Sequence, residues 1–359
     1  MLYYLAGLVS GHWGPARLLQ SHLLLLAGGA FTAAVVCWLV LPRVWDRLPR
    51  DRGKAICKDT GGMVSAGKPT GAGFPLSLAM LPVIALFAPL GFWDCCTLAA
   101  LYAAMLFGYL DDRAAVPWGE LKKGLLDAVV AVAIAFFVAK GHSTLVWLPF
   151  VKGMWRIPMA VYVPCAAFVL WFTMNATNCS DGVDGLAGTL SIITLGLLSV
   201  MLYVVIGYKP VAHYLLLPCN PEAARWAILL MIVAGGLGSY LWFNAEPSKI
   251  LMGDAGSRFL GILVGAASLV TGNPLLVLAF APVVLVNGGG GLGKLVLLRM
   301  ANRLGMEIGE DSVIRKVRFP LHDHCKKKLG WTNAQVLMRF TLLQLVVTPA
   351  LLLLLVKVR

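Results

Sequence analysis

The stretch Asn175-Ala-Thr-Asn178-Cys-Ser-Asp181-Gly-Val-Asp184-Gly185-Leu-Ala-Gly188 sets two carboxylates, two carboxamides and three glycines between two apolar runs of membrane-spanning length. Lipid offers no water to an unpaired backbone or a bare charge, so such a cluster belongs at a membrane surface or beside a wet cavity. A plainer role, an N-cap for the helix that follows from Ser180 or Asp181, is compatible with this but uses only one of its polar groups. A second acidic group, Gly108-Tyr-Leu-Asp111-Asp112-Arg113, ends another apolar run. Two adjacent carboxylates repel each other and are disfavoured at a helix C-terminus, so they call for a cation or basic partner. In Leu251-Met-Gly253-Asp254-Ala-Gly256-Ser257 a carboxylate and backbone N–H groups meet at the start of a helix. That is either a dipole-friendly cap or a seat for a phosphate with its divalent metal. Oxygen ligands on Asp111, Asp112, Asp181, Asp184 and Asp254, with no Cys/His set, favour Mg²⁺ or Mn²⁺ over zinc.

Two weaker signals lie apart from these acids. Arg318-Phe-Pro-Leu-His322-Asp323-His324-Cys-Lys326-Lys327-Lys328 reads as a basic patch for lipid headgroups, but its two histidines also suit hydrogen bonding to a diphosphate. Lys68-Pro69-Thr70-Gly71-Ala72-Gly73 is a glycine-rich helix entry.

The elements that must position these residues follow from composition. The 359 residues are 59% hydrophobic and 13% charged, whereas soluble domains carry about 25% charged residues. This is an all-α polytopic membrane protein, read as one domain over residues 1–359. Apolar runs near 23–41, 74–92, 95–110, 124–140, 158–174, 186–207, 225–243, 259–272, 274–298 and 336–356 predict ten spans. Pro282 and the run Asn287-Gly-Gly-Gly-Gly291 predict a bent or broken ninth helix. The net charge of +13 does not point to nucleic acid, because no soluble domain with a basic face carries it. Eight scattered cysteines lack a C-x-x-C pair, and Met1 to Gly14 does not read as a cleaved signal peptide.

Loops one, three, five, seven and nine share one side of a ten-span protein. They hold twenty Lys and Arg (seven, three, none, two and eight), against eight on the other side. The positive-inside rule makes the richer side cytoplasmic and both termini extracytoplasmic. Every acidic motif above lies in or beside those five loops, so separate segments are expected to converge on one cytoplasmic cleft. An ion-coupled transporter also combines acids with a broken helix, but its sites sit near the bilayer midplane.

Pro69-Thr70, Gly-x-x-Asp-Asp at 108–112, Lys123-Gly124-Leu125, the 175–187 motif, Met-Gly-Asp-x-Gly-Ser at 252–257 and Arg318-Phe-Pro-Leu-His-x-His, followed by Gly330-Trp331 and Arg339-Phe340, span nearly the whole chain. Together they resemble the polyprenyl-phosphate N-acetylhexosamine-1-phosphate transferases, most closely the MraY family of phospho-N-acetylmuramoyl-pentapeptide translocases. The resemblance implies a Mg²⁺-dependent enzyme of peptidoglycan synthesis in the bacterial inner membrane. It would pass phospho-MurNAc-pentapeptide from a UDP-linked donor to undecaprenyl phosphate, releasing UMP and making lipid I, and would work as a homodimer among membrane lipids. It assigns Asp111, Asp112 and Asp254 to catalysis and Asp254, Asp181 and Asp111 to the metal. Thr70, Lys123, Asn175, Asn178, Asp181, Asp184, Gly253, His322 and His324 are assigned to substrate. Asp111 reads better as a positioning or metal-linked group than as a base, since an acceptor phosphate with a second pKa of about 6 is already largely deprotonated at neutral pH.

The chain departs from the family pattern at several places. Leu251 stands for an aromatic residue, Ser65 for a lysine, and Asp323 for the middle residue of a three-histidine run. The lysine expected after Lys-Gly-Leu is missing from Leu126 to Val130, and Asn287 to Lys294 lacks the expected Glu and Gln. These positions concern donor recognition, so a paralogous transferase using another nucleotide-diphosphate sugar, such as UDP-GlcNAc, is the alternative.

Overall fold

A computed structural model describes residues 1–52, 65–149, 151, 153–306, 309 and 312–357. Lys54, Cys57, Lys58, Lys152 and Arg359, which entered the charge and cysteine readings above, lie outside the described residues. The regular structure of the described residues is helical apart from one antiparallel hairpin, β1 (Leu145–Val146) with β2 (Trp155–Arg156), and an isolated bridge between Arg50 and Pro69.

Among the described residues, eight helices are long and apolar enough to cross a membrane. They include α2 (His22–Val44), α4 (Phe92–Arg113), α5 (Glu120–His142), α6 (Met159–Ser180), α7 (Leu186–Val200, continued by a π-helical turn to Ile206) and α9 (Ala223–Asn244). The stretch Pro282–Arg303 and α16 (Asn333–Lys357) complete the eight. The two remaining predicted spans are the shorter α3 (Gly73–Phe87) and α10 (Gly253–Val270). Short helices α1 (Leu2–Val9) and α8 (Lys209–Tyr214) were not expected from the sequence.

The predicted eighth span began at residue 259, whereas α10 starts six residues earlier. Asp254 and Arg258 lower the apolarity of its first turns, yet both charges are accommodated: Asp254 at the positive end of the helix dipole, Arg258 by a buried carboxylate. Every residue of α10 from Ala255 to Val270 is buried, and the helix packs against α3, α4, α5, α6 and α7. Close approach comes from small residues, as expected where lipid leaves packing rather than hydrophobicity to join helices. Gly73 of α3 meets the backbone of Gly256, and Gly261 lies against Thr173 and Met174 of α6. On the other side of the bundle, the stripe Leu25, Gly29, Ala33, Cys37 and Leu41 buries one face of α2 against α9.

The ninth span is broken as the sequence predicts. The helix α11 (Val277–Phe280) ends at Ala281, whose backbone leaves the helical region, and α12 (Pro282–Val284) restarts at Pro282. Proline cannot donate an N–H, so the helical ladder is interrupted at this point, and side chains brace the break. The Phe280 carbonyl is taken up by Thr194 Oγ1 (3.0 Å) and by the Gln344 side-chain amide. A π-helical turn, Leu285–Gly289, then leads into α13 (Gly290–Arg303). There Gly288 lies on the Ala176 carbonyl and Gly290 on the Phe319 ring, contacts that a Cβ would block. Two further short helices, α14 (Val313–Lys316) and α15 (Leu321–Leu329), join α13 to α16.

Candidate active site

The five polar connections meet at one end of the bundle. Residues 69–73 run beside 251–252, with Leu251 N–H donating to Pro69 O (2.8 Å), Ala72 N–H to Leu251 O (3.0 Å) and Gly73 N–H to Met252 O (3.1 Å). Gly71 and Gly253 take positive φ there (76° and 70°), and a Cβ on Gly253 would sit 2.6 Å from Gly71 N. Only glycine permits both the dihedral and the approach.

Directly behind this seam lie the carboxylates. Asp111 and Asp112 occupy the last turn of α4, Lys123 the first turns of α5, and Asp254 the first turn of α10. The Lys123 ammonium pairs with Asp111 Oδ2 and lies 3.6 Å from Asp254 Oδ2. Asp111 Oδ1 also accepts from Trp118 N–H (2.8 Å). Asp112 accepts from the backbone N–H groups of Asp254 (Oδ1, 3.1 Å) and Ala255 (Oδ2, 3.2 Å). The N–H groups that the sequence suggested for a phosphate are thus held by the Asp112 carboxylate, which caps α10 and fixes where Asp254 emerges. Two residues not singled out from the sequence extend the network: Arg258 pairs with Asp127 of α5 and reaches Asp254 Oδ2 at 3.4 Å.

The motif between α6 and α7 forms the other wall. Asn178 Oδ1 accepts from Ser257 Oγ (2.9 Å), joining α6 to α10. Asn175 donates to Trp171 O within its own helix (2.9 Å). Asp181 is the C-cap of α6. Neither it nor Ser180 caps α7: the N-cap is Gly185 at φ 77°, with no side-chain cap. Its N–H instead donates to Asn244 Oδ1 (2.8 Å), so α9 holds the turn. Asp184 accepts from Ser248 N–H (3.2 Å) and lies 3.7 Å from the Lys68 ammonium, which also donates to Ser248 Oγ (2.9 Å).

The histidines flank this wall. The His322 N–H donates to Asn287 Oδ1 (2.9 Å) in the π-helical turn, and its ring lies against Gly182, where a Cβ would clash. His324 Nδ1 accepts from Arg318 N–H (3.1 Å). Thr70 is buried in the seam, its N–H on Pro49 O (2.8 Å). Asp111, Asp112, Lys123, Gly253 and Asp254 therefore form one centre, with Asn178 at its edge. Asp184 and His322 stand at the neighbouring turn, and His324 follows two residues on in α15 with its ring on Arg318 N–H.

The donor set fits a hard cation. Asp111 and Asp254 already share one positive charge, the Lys123 ammonium, between them. Among the described residues no three His, Cys, Asp or Glu side chains group to hold a metal, so Asp181 does not complete such a set. Two carboxylates suffice for Mg²⁺, which keeps several waters and takes its other oxygens from substrate phosphates.

An apolar groove of about 560 Å³ runs between α5 and α6. It is lined by Leu121, Gly124, Leu125, Ala128, Phe168 and Trp171 among others. Its α5 wall, from Glu120 to Val132, belongs to the helix that also carries Lys123.

Residues 95–272 match glycosyl transferase family 4. The chain is 41% identical over 354 residues to phospho-N-acetylmuramoyl-pentapeptide-transferase of Treponema pallidum (strain Nichols), covering 97% of this chain and 94% of the relative. It is 26% identical to the protein of the same name from Borreliella afzelii (strain PKo), over 96% and 97% of the two chains.

Proposed function

Because this chain belongs to the phospho-N-acetylmuramoyl-pentapeptide-transferase family, as its 41% identity across nearly its whole length shows, we propose that the centre at the α10 N-terminus transfers a phosphosugar to a lipid phosphate. The donor is UDP-MurNAc-pentapeptide and the acceptor undecaprenyl phosphate; the products are UMP and lipid I. The observation that carries the reading is the Lys123 ammonium bridging Asp111 and Asp254, on the helix whose other face lines an apolar groove.

The reaction exchanges one phosphoanhydride for another. An oxygen of the acceptor phosphate attacks the sugar-bearing phosphorus of the donor, and the bond to UMP breaks. Both partners are anions, so the chain's task is to hold them together against repulsion and to neutralise charge that builds on the leaving oxygen. Lys123, on the helix that also lines the groove, receives the acceptor phosphate as its prenyl chain lies along α5 and α6. Asp111, engaged by Lys123 and by Trp118 N–H, orients that ammonium rather than removing a proton. Asp111 and Asp254 would hold Mg²⁺ or Mn²⁺, which when bound supplies Lewis-acid charge to the diphosphate. Lys68 and His322 stand on the side of the Asp184 turn, where the donor's remaining charge and sugar are received, with His324 of the same helix as His322 taking part.

The protein is a multi-pass membrane protein; we place it in the bacterial inner membrane with this centre cytoplasmic, on the charge bias of its loops, and as a homodimer. The deciding assay is UMP release by purified protein with undecaprenyl phosphate and Mg²⁺, comparing UDP-MurNAc-pentapeptide with UDP-GlcNAc. Turnover of the first alone is expected; turnover of the second alone would refute the donor assignment while leaving the reaction class standing.

A further inference from the structure

The pair formed by Asp127 and Arg258 is not needed to cap a helix or line the groove, yet it is the most deeply buried ion pair of the centre, with side chains 4% and 5% exposed. Taking two charges out of water costs several kcal/mol per ion, and mutual attraction alone does not reliably offset it. The geometry shows what the pair touches. Asp127 lies one turn after Lys123 on α5, and Arg258 one turn after Asp254 on α10, so two i,i+4 pairs of opposite polarity face each other. Lys123 lies on Asp254 and Arg258 on Asp127, with both cations also reaching the same oxygen, Asp254 Oδ2.

Arg258 is shared unequally. Its Nη1 is in tight contact with Asp127 Oδ1, whereas its Nη2 stands 3.4 Å from Asp254 Oδ2. Its buried Nε has no hydrogen-bond partner. A guanidinium is built to take a carboxylate with two parallel N–H groups. Here Asp127 holds it away from that arrangement with Asp254.

We propose that Asp127 and Arg258 are a positioning pair for Asp254: Asp127 restrains the guanidinium, so that Asp254 is oriented by Arg258 without being neutralised by it and remains available to a divalent cation. The inference rests on the divalent-cation reading above. With Asp127 unable to pair, Arg258 swings onto Asp254 as a two-pronged partner and competes with the metal. With Arg258 gone, Asp254 faces one cation fewer and binds metal more tightly, but is less well oriented.

The test is Mn²⁺ binding to the purified full-length protein without nucleotide, followed by the electron paramagnetic resonance signal of free Mn²⁺, with turnover measured alongside. Asp127→Asn is expected to weaken Mn²⁺ binding about tenfold. Arg258→Gln is expected to tighten it about threefold while lowering kcat. The double variant should bind like Arg258→Gln, because without the guanidinium the loss at Asp127 has nothing to release. Asp127→Glu, which keeps the restraining charge, should restore binding to near the wild-type level. An Asp127→Asn effect that persists unchanged in the Arg258→Gln background overturns the proposal. Should Asp127→Asn fail to fold, Arg258→Gln and the double variant, which leave no unpaired buried cation, decide it: unchanged Mn²⁺ affinity in both means the pair is only interhelical packing. A wild-type protein that binds no Mn²⁺ would overturn the cation reading itself, and the pair's role with it.

Discussion

Gly108→Ala adds one methyl group at the point where α4 crosses the start of α10. Gly108 lies three and four residues before Asp111 and Asp112, on the same face of α4. A Cβ there would stand 2.5 Å from Asp254 O, 2.6 Å from its carbonyl carbon and 2.7 Å from Ala255 N. Ordinary contact begins at 3.4 Å, so the helices must part by about 0.9 Å. The neighbour is backbone and cannot rotate away. Parting by that amount carries the Asp112 cap, now 3.1 and 3.2 Å from its two N–H groups, to about 4 Å and out of hydrogen-bonding range. Overpacking of this kind costs about 1–3 kcal/mol, and loss of a cap about 0.5–2 kcal/mol more. Misplacing a reacting group by about 1 Å costs on the order of 100-fold in rate. The assay is UMP release at saturating donor, acceptor and Mg²⁺, together with the melting temperature of the purified protein. Gly196→Ala in α7 is the control: nothing lies within 4 Å of its Cβ position, so helix propensity should stabilise it by about 0.5–1 kcal/mol with turnover unchanged. Gly108→Ala with wild-type turnover and melting would show that the α4–α10 crossing does not set the position of Asp254.

Three further outcomes follow from the same contacts. Lys123→Met removes the cation shared by Asp111 and Asp254 and should lower turnover by about 100-fold or more, read as UMP release; an effect under about fivefold would remove Lys123 from the centre. Asp111→Asn, which retains an acceptor for Trp118 N–H, should keep more activity at saturating Mg²⁺ than Asp254→Asn does, whereas equal and pH-shifted losses would make Asp111 a base. Asn287→Leu leaves the buried His322 N–H without its acceptor and should destabilise the protein by about 1–3 kcal/mol in thermal unfolding; no change in melting would mean that the start of α15, which carries His322, is held elsewhere.

The convergence of the five polar loops was legible because charge bias and span count are properties of composition, and neither needs a contact to be known. The break in the ninth span was legible for a similar reason, since Pro282 and the glycines act through their own backbone. Asp127 and Arg258 were not. Each lies in or beside an apolar run, where Arg258 reads as the edge of a span, and their meaning comes only from α5 and α10 lying side by side. A local clue did exist in the four-residue spacing of Lys123 to Asp127 and of Asp254 to Arg258. The cap of α7 was also hidden, because Asn244, 59 residues away, does the work for which the adjacent Ser180 or Asp181 is suited by type. The same holds for Asp112, whose nearness to Asp111 suggested shared chemistry but whose partners are the first N–H groups of α10.

The distance along the chain between Asp112 and those N–H groups, 142 residues for Asp254, also sets a timetable. At about 5–20 residues per second of synthesis, α4 enters the membrane between about 7 and 28 s before the start of α10 has been made. Lys123 emerges only eleven residues after Asp112 and can cover Asp111 almost at once. Asp112 has no such early escort, and its carboxylate must wait at the water-facing edge of the bilayer until α10 arrives. Insertion of α10, a helix buried along nearly its whole length, is therefore the event that ends that wait, before the last two spans are made.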